Sequence, residues 1–278
     1  MHPEIRYEKR PHDISYCTSV NKDRLTDYDR VVLCSLVEGV AVSATDVAFE
    51  LRMGLKSPII PGRRLMLDAL LSGLLFERTG DPTRAIEEIP LARVGRTWCG
   101  SQVLLEGPCA AIPMVYTMAL RAERDLSPES VRPGGRGGKF QRIETGRGPY
   151  QNKLTEMLAY EARAVWFCGR GSLDAIQGLL EDVPAIGKKR SSGFGAISRE
   201  SIDIEEIDGE WPGLMLSDGT PARAVPVEVW KEIGGSEDVE FAYEAARPPY
   251  WQGEHETCAV PSHLVVDREQ AGKLIGLN

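Results

Sequence analysis

The stretch PAIGKKRSSGFGAI at 184–197 sets three consecutive cations, Lys188, Lys189 and Arg190, between Gly187 and the run Ser191, Ser192, Gly193, Phe194, Gly195. Those residue types suit a phosphate. Glycines let the main chain approach an anion with its N–H groups outward. The cations neutralise phosphate charge, and the two hydroxyls can donate to its oxygens. A nucleotide-binding P-loop is excluded, because GxxxxGK[ST] follows a strand and opens a helix. Here Gly187-Lys188 precedes a lysine, no glycine lies five residues upstream, and the segment follows a helical pattern. Two readings stay open from the residues alone: a solvated helix-to-strand connection, and a cradle for a nucleic-acid backbone. Phe194 is either a stacking face or a plug into the neighbouring sheet.

A second cationic stretch runs from Arg132 to Lys153. Arg132, Arg136, Lys139, Arg142, Arg147 and Lys153 face one acid, Glu144, so the stretch is net positive inside a chain of net charge −8. The overall charge argues against a protein that coats nucleic acid indiscriminately, while the segregation favours a localised contact. Its alternative is a solvated loop.

Catalytic constellations are weak. Metal-independent RNA cleavage needs a base, an acid and cationic stabilisation of the phosphorane, and histidine is the usual proton carrier. The four histidines, His2, His12, His255 and His263, lie near the start and in the tail, away from both helical patterns and the glycine loop. The acidic pairs Glu87-Glu88, Glu181-Asp182 and Glu205-Glu206 read as solvated faces, and Asp68 and Asp174 as structural helix residues. The six cysteines form no CxxC pair and read as buried thiols. His255, Cys258 and His263 lack a fourth ligand at regular spacing, so neither metal nor cofactor is expected. Apolar runs are too short and interrupted to span a bilayer, and MHPEIRYEKRPHD has no apolar export core, so a cytoplasmic protein is expected.

The elements that must position the loop follow from periodicity. RVVLCSL at 30–36 reads as a buried strand. In GRRLMLDALLSGLLFERTGD the apolar positions 67, 70, 71, 74 and 75 give one helix, with Arg78 in its last turn and Gly80 as its stop. Residues 93–122 hold extended or mixed segments around Trp98 and Tyr116, and 123–153 lack apolar periodicity. EARAVWFCG reads as a strand at about 161–168 and SLDAIQGLLEDV as a second amphipathic helix, ended by Pro184 and Gly187. Beyond the glycine loop, AISRESIDIEEI alternates as a half-buried strand. That order fits an α+β, ferredoxin-like core with two helices on one face of an antiparallel sheet and the other face open. Trp166 and Phe167 point to opposite faces, so an aromatic RNA-stacking strand is poorly developed, and binding through phosphate and shape fits better. The domains expected are a core over 1–208, with a basic insertion at about 123–157, and a C-terminal strand-and-loop extension over 209–278.

GLLEDVPAIGKKRSSGFGAI resembles the glycine-rich loop of the RAMP superfamily, the RRM-like RNA-binding subunits of CRISPR–Cas complexes. SPIIPGRRLMLDALLSGLLFERTGD and RPPYWQGEHETCAVPSHLV are similar to the first-helix and closing segments of the fifth-family subunit of type IV effectors. These matches cover the first helix, the second helix with its loop, and the tail, and leave 81–160 largely unmatched. The resemblance implies a non-catalytic subunit that caps the 5′ handle of the CRISPR RNA, beside the helical-backbone RAMP subunit and the large subunit. Contact with DNA flanking the target stays open. It places RNA binding on Gly187, Lys188, Lys189, Arg190, Ser191, Ser192, Gly193, Phe194 and Gly195. A thumb folded over the RNA would carry Arg132, Arg136, Lys139, Arg142 and Arg147. A processing endoribonuclease of the same superfamily is the alternative.

If Arg132, Arg136, Lys139, Arg142 and Arg147 follow an RNA backbone, replacing these five with alanine flattens the log–log salt dependence of RNA binding by roughly 0.7 per phosphate contact removed. An unchanged slope in a filter-binding salt series would leave only a solvated loop.

Overall fold

Alternation sets the central strand of the sheet. In β1, Val47–Leu55, the side chains of Phe49, Leu51 and Met53 are fully buried on one face, while Arg52 takes the other. The computed structural model describes residues 46–62, 64–118, 151–208, 213–262 and 266–267. Within it β1 is the first strand of the sheet; the expected strand at 30–36 lies outside the described residues.

The helix α1, Leu67–Thr79, buries Leu67, Leu70, Leu71, Leu74 and Leu75, the face read from periodicity. Gly80 ends it at φ 67°, its N–H donating to the Phe76 carbonyl at 2.8 Å. A short helix not anticipated from the sequence, α2 at Pro82–Glu87, follows at once. Asp81 caps it by accepting from the N–H groups of Thr83 and Arg84. The small strands β2, Arg93–Val94, and β3, Thr97–Trp98, form a hairpin that leads to β4, Leu104–Glu106.

A two-stranded ribbon interrupts the core. β5, Ala110–Met118, pairs with β6, Lys153–Glu161, from Ala110↔Glu161 to Met118↔Lys153. The chain between its ends contains Arg132, Arg136, Lys139, Arg142 and Arg147, all outside the described residues. The core resumes with β7, Ala164–Gly171, α3, Leu173–Leu180, and β8, Ile197–Glu206. β7 begins three residues later than the sequence pattern suggests, because Ala162 and Arg163 turn the chain out of the ribbon; the Arg163 N–H donates to the Glu106 carbonyl at 2.7 Å.

The main sheet has the order β12-β4-β7-β1-β8, with β12 at Val266–Asp267 parallel to β4 and the other neighbours antiparallel. β1-α1-β4 and β7-α3-β8 are therefore two βαβ units, each enclosing a strand of the other. One core forms where Phe49, Leu51, Met53, Val165 and Phe167 meet α1 and Ile176, Leu179 and Leu180 of α3. Each such side chain contributes about 1.5–3 kcal/mol by burial. The fold is mixed α/β with antiparallel sheets.

The opposite face of this sheet is only partly open. Cys168 packs there against Leu216 and Ala222 from the C-terminal segment. That segment forms β9, Val225–Pro226, α4, Val227–Glu232, β10, Glu240–Ala245, and β11, His255–Val260, in a second sheet of order β10-β11-β9. Trp230 is buried beneath it, its indole N–H donating to the Ser236 carbonyl at 2.8 Å.

Arg223 ties this segment to α1. Its guanidinium is fully buried and lies 3.0 Å from Asp68 Oδ2, an equally buried carboxylate. It also donates to the carbonyls of Trp98, Gly100 and Ala246 and to the Tyr250 hydroxyl, which in turn donates to Asp68 at 2.7 Å. Burial alone would lower the Arg223 pKa, but Asp68 and Tyr250 outweigh it and hold the guanidinium protonated. Burial likewise pushes the Tyr250 phenol well above its ordinary value, with Asp68 adding to the shift and Arg223 opposing it.

Asp68→Ala strands a buried cation and should cost about 3–5 kcal/mol, whereas Tyr250→Phe should cost about 1–3 kcal/mol in denaturant titrations. A phenol whose folded pKa is raised stabilises fully below the unfolded value of about 10 and loses that contribution as pH rises past it. The stability gap between the wild type and Tyr250→Phe should therefore narrow above about pH 10. A gap that widens there would contradict the buried neutral phenol.

Candidate functional site: a cationic loop at the root of a ribbon

The glycine loop is pinned to the protein by its own main chain. Lys188 N–H donates to the Ile60 carbonyl at 2.7 Å, Gly195 N–H to Pro58 at 2.8 Å, and Ala196 N–H to Ser57 Oγ at 2.9 Å. The same 57–60 segment bridges β6, because Ile59 and Tyr160 exchange both of their main-chain bonds. One strip of chain thus holds the loop on one side and the ribbon's root on the other.

Within the loop Lys189 adopts left-handed geometry at φ 59°, a short 3-10 turn covers Arg190–Ser192, and Gly193 follows at φ 89°. The N–H groups of Ser192 and Gly193 close this turn on the Lys189 and Arg190 carbonyls. Among the described residues, the amides of Lys189, Arg190 and Ser191 donate to no protein acceptor. Ser191 and Ser192 are exposed.

The glycines divide by role. A Cβ at Gly195 would overlap the Ile186 carbonyl oxygen, and one at Gly187 would approach the Ile60 oxygen to 2.7 Å. Both are demanded by the loop's own packing, not by an approaching ligand. At Gly193 nothing lies within 4 Å of a Cβ, so only its φ favours glycine there. Gly193 is the glycine of the loop that leaves open space for a ligand.

The cations also differ. Lys188 is exposed, its stem lying over Gly62. Arg190 pairs with Glu77 of α1 at 3.3 Å, with both side chains about half exposed. Such a surface pair contributes at most about 1 kcal/mol and exchanges readily for a phosphate. Lys189 reaches across to the ribbon, its Nζ 4.7 Å from the Tyr116 ring centroid. Phe194 meets the same ring edge-to-face at 6.2 Å. Phe194 is therefore half-buried against β5, between the two roles open to it in the sequence.

Tyr116 is the site residue that sequence reasoning missed. It stands in a segment of ambiguous type, and only the β5–β6 register brings it to the loop. Trp166 and Phe167 do split between faces: Phe167 is fully buried under the helices. The Trp166 indole N–H donates to Glu106 at 2.8 Å, and Arg52 lies 5.6 Å over its ring while bonding Glu106 at 2.9 Å. The Arg52 hydrogen bond holds the Glu106 carboxyl below its usual range, outweighing burial. That ring already carries a cation and borders a carboxylate, which makes it a poor stacking platform for a phosphate-bearing strand.

Other candidates carry less chemistry. The acidic pairs at 87–88, 181–182 and 205–206 are exposed. A cleft of about 560 Å³ between α3 and β8 is lined by Asp174, Glu181, Asp203 and Arg199, an acidic set that repels phosphate. Among the described residues no cluster of three potential metal ligands occurs. Cys258 is buried, its thiol pushed up to about 12 by burial and the nearby glutamates, so it stays protonated. His263 lies outside the described residues. No helix among the described residues is long and apolar enough to cross a membrane.

An α/β sheet protein with an exposed cationic loop, open main-chain amides and a hairpin arm at its side is the class these features define. The family follows from its sequence: the model of the family described as CRISPR type IV associated protein Csf3 matches residues 47–261, and the chain belongs to that family. No curated protein matches it. The matched range takes in the ribbon and the stretch 81–160 that the motifs alone leave unassigned.

Gly195→Ala should lower the melting temperature sharply, because the Ile186 carbonyl has to move. Gly193→Ala should cost only about 1–2 kcal/mol of left-handed backbone strain. Equal losses in thermal melts would contradict this division of the glycines.

Proposed function

We propose that this protein is a non-catalytic RNA-binding subunit of a type IV CRISPR effector complex that caps the 5′ handle of the CRISPR RNA. On this reading the core is a ferredoxin-like RAMP domain. Its split βαβ units and the β4-β7-β1-β8 run of its sheet support that fold. The ribbon with its basic insertion is the thumb. Family membership supports a place among CRISPR type IV proteins. The partners are then the helical-backbone RAMP subunit and the large subunit, in the cytoplasm.

The observation that carries the proposal is the meeting of Lys189 and Phe194 with Tyr116. It sets the cationic loop against β5, the strand that precedes the stretch Arg132 to Arg147 in sequence. The described site therefore comprises the loop and β5, with the second cationic stretch following β5 in sequence. RNA laid along them meets Lys188, Lys189 and Arg190, the Ser191 and Ser192 hydroxyls and the open amides, which are groups that read phosphate and shape instead of bases.

The test is a titration of purified protein with labelled repeat-derived RNA carrying the 5′ handle. Replacing Lys188, Lys189 and Arg190 with alanine should weaken binding at least tenfold, while each exposed change alters stability by about 0.5 kcal/mol or less. The RNA should emerge intact with or without EDTA. A triple variant that melts and binds like the wild type would remove the proposal. A specific cut, lost in a tyrosine or histidine variant, would make the protein a processing nuclease instead.

A further inference from the structure

Glu77 stands where its own helix gains nothing from a carboxylate. It lies in the last turn of α1, where the free carbonyls carry partial negative charge and favour cations. The neighbouring Arg78 follows that rule, and its guanidinium donates to the Leu179 carbonyl of α3 at 3.3 Å. This bond ties the end of α1 to the end of α3, beside the loop that follows α3. Asp68, the other acid of α1, is buried against Arg223, so Glu77 is the helix's one exposed carboxylate. Its partner is Arg190 of the glycine loop, at 3.3 Å with both side chains about half exposed.

The three loop cations are thereby left in different states. Among the described residues, Arg190 alone of the three has a carboxylate partner. Lys188 lies over Gly62, and the Lys189 Nζ stands 4.7 Å from the Tyr116 ring, a contact that holds a cation without cancelling its charge. We propose that Glu77 is a positioning and selectivity residue of the loop: it occupies Arg190 as an internal stand-in for a phosphate and yields it to RNA. The device presupposes the RNA-binding reading of the loop and adds what limits its affinity. A half-exposed pair is weak enough to exchange, and an incoming phosphate can offer Arg190 a bidentate partner in return. A single small anion gains little by displacing Glu77. A strand that also engages Lys188 and Lys189 displaces it more readily, so the loop favours chains of phosphates over isolated ones.

The test is a salt series of RNA titrations on the full chain carrying Glu77→Gln, which keeps the side-chain shape and removes a charge that α1 does not need. Freed of its carboxylate, Arg190 should tighten binding about threefold near physiological salt. The log–log salt slope should steepen by roughly 0.7, because Arg190 then releases a counterion of its own. In an Arg190→Gln background the same change should alter affinity by less than about 1.5-fold, since screening leaves Glu77 little direct hold on the RNA. Binding that is unchanged or weakened by Glu77→Gln overturns the proposal. So does an equal gain with and without Arg190, which would mean plain repulsion between Glu77 and the RNA. RNA binding indifferent to the triple alanine change at 188–190 removes the parent reading and this proposal with it, whereas failure of Glu77→Gln alone leaves that reading standing.

Discussion

Arg223 is the constraint on which the rest of the structure depends. A fully buried guanidinium is tolerated only with its charge paired and its N–H groups occupied. Here it is satisfied by groups from α1, from β3 and the turn after it, and from the segment after β10. Those elements lie far apart in sequence, so the ion pair can form only when the C-terminal sheet is seated against the helix and sheet of the core. Its stabilising value is modest, because desolvation opposes it, but a mis-seated arrangement would leave an unpaired charge in an apolar interior.

With the C-terminal segment fixed in this way, part of the sheet's second face is covered by Leu216 and Ala222 over Cys168. Arg52, Trp166 and Glu106 satisfy one another on the same face. An RNA strand drawn across the sheet would meet filled or acidic positions. The cationic groups gather instead at the loop after α3, which the 57–60 segment holds beside β5 and β6. Charge is segregated by element: cations on the loop and the inserted stretch, carboxylates on β8, α3 and the C-terminal sheet. A chain of net charge −8 can thereby still offer a localised phosphate-compatible surface.

Much of this was legible without coordinates. The face of α1, its stop at Gly80, the second helix, the alternating strand after the loop and the exposed acidic pairs all follow from local periodicity and local chemistry. The central strand β1 was missed although Phe49, Leu51 and Met53 alternate, because RVVLCSL offered a denser β-branched run nearby. The short helix α2 carried an Asp81-Pro82 start signal.

Periodicity, the cationic composition of the loop and the positive insertion were settled by sequence, since each depends on residues close together in the chain. Tertiary structure alone decided that Gly187 and Gly195 serve the loop's packing while Gly193 stays open. It also turned Arg190 to Glu77 and Lys189 to Tyr116, and buried Tyr250 while exposing Trp251. Each of these outcomes depends on a partner tens of residues or more away in the chain, and strand register and helix packing, not local spacing, choose that partner.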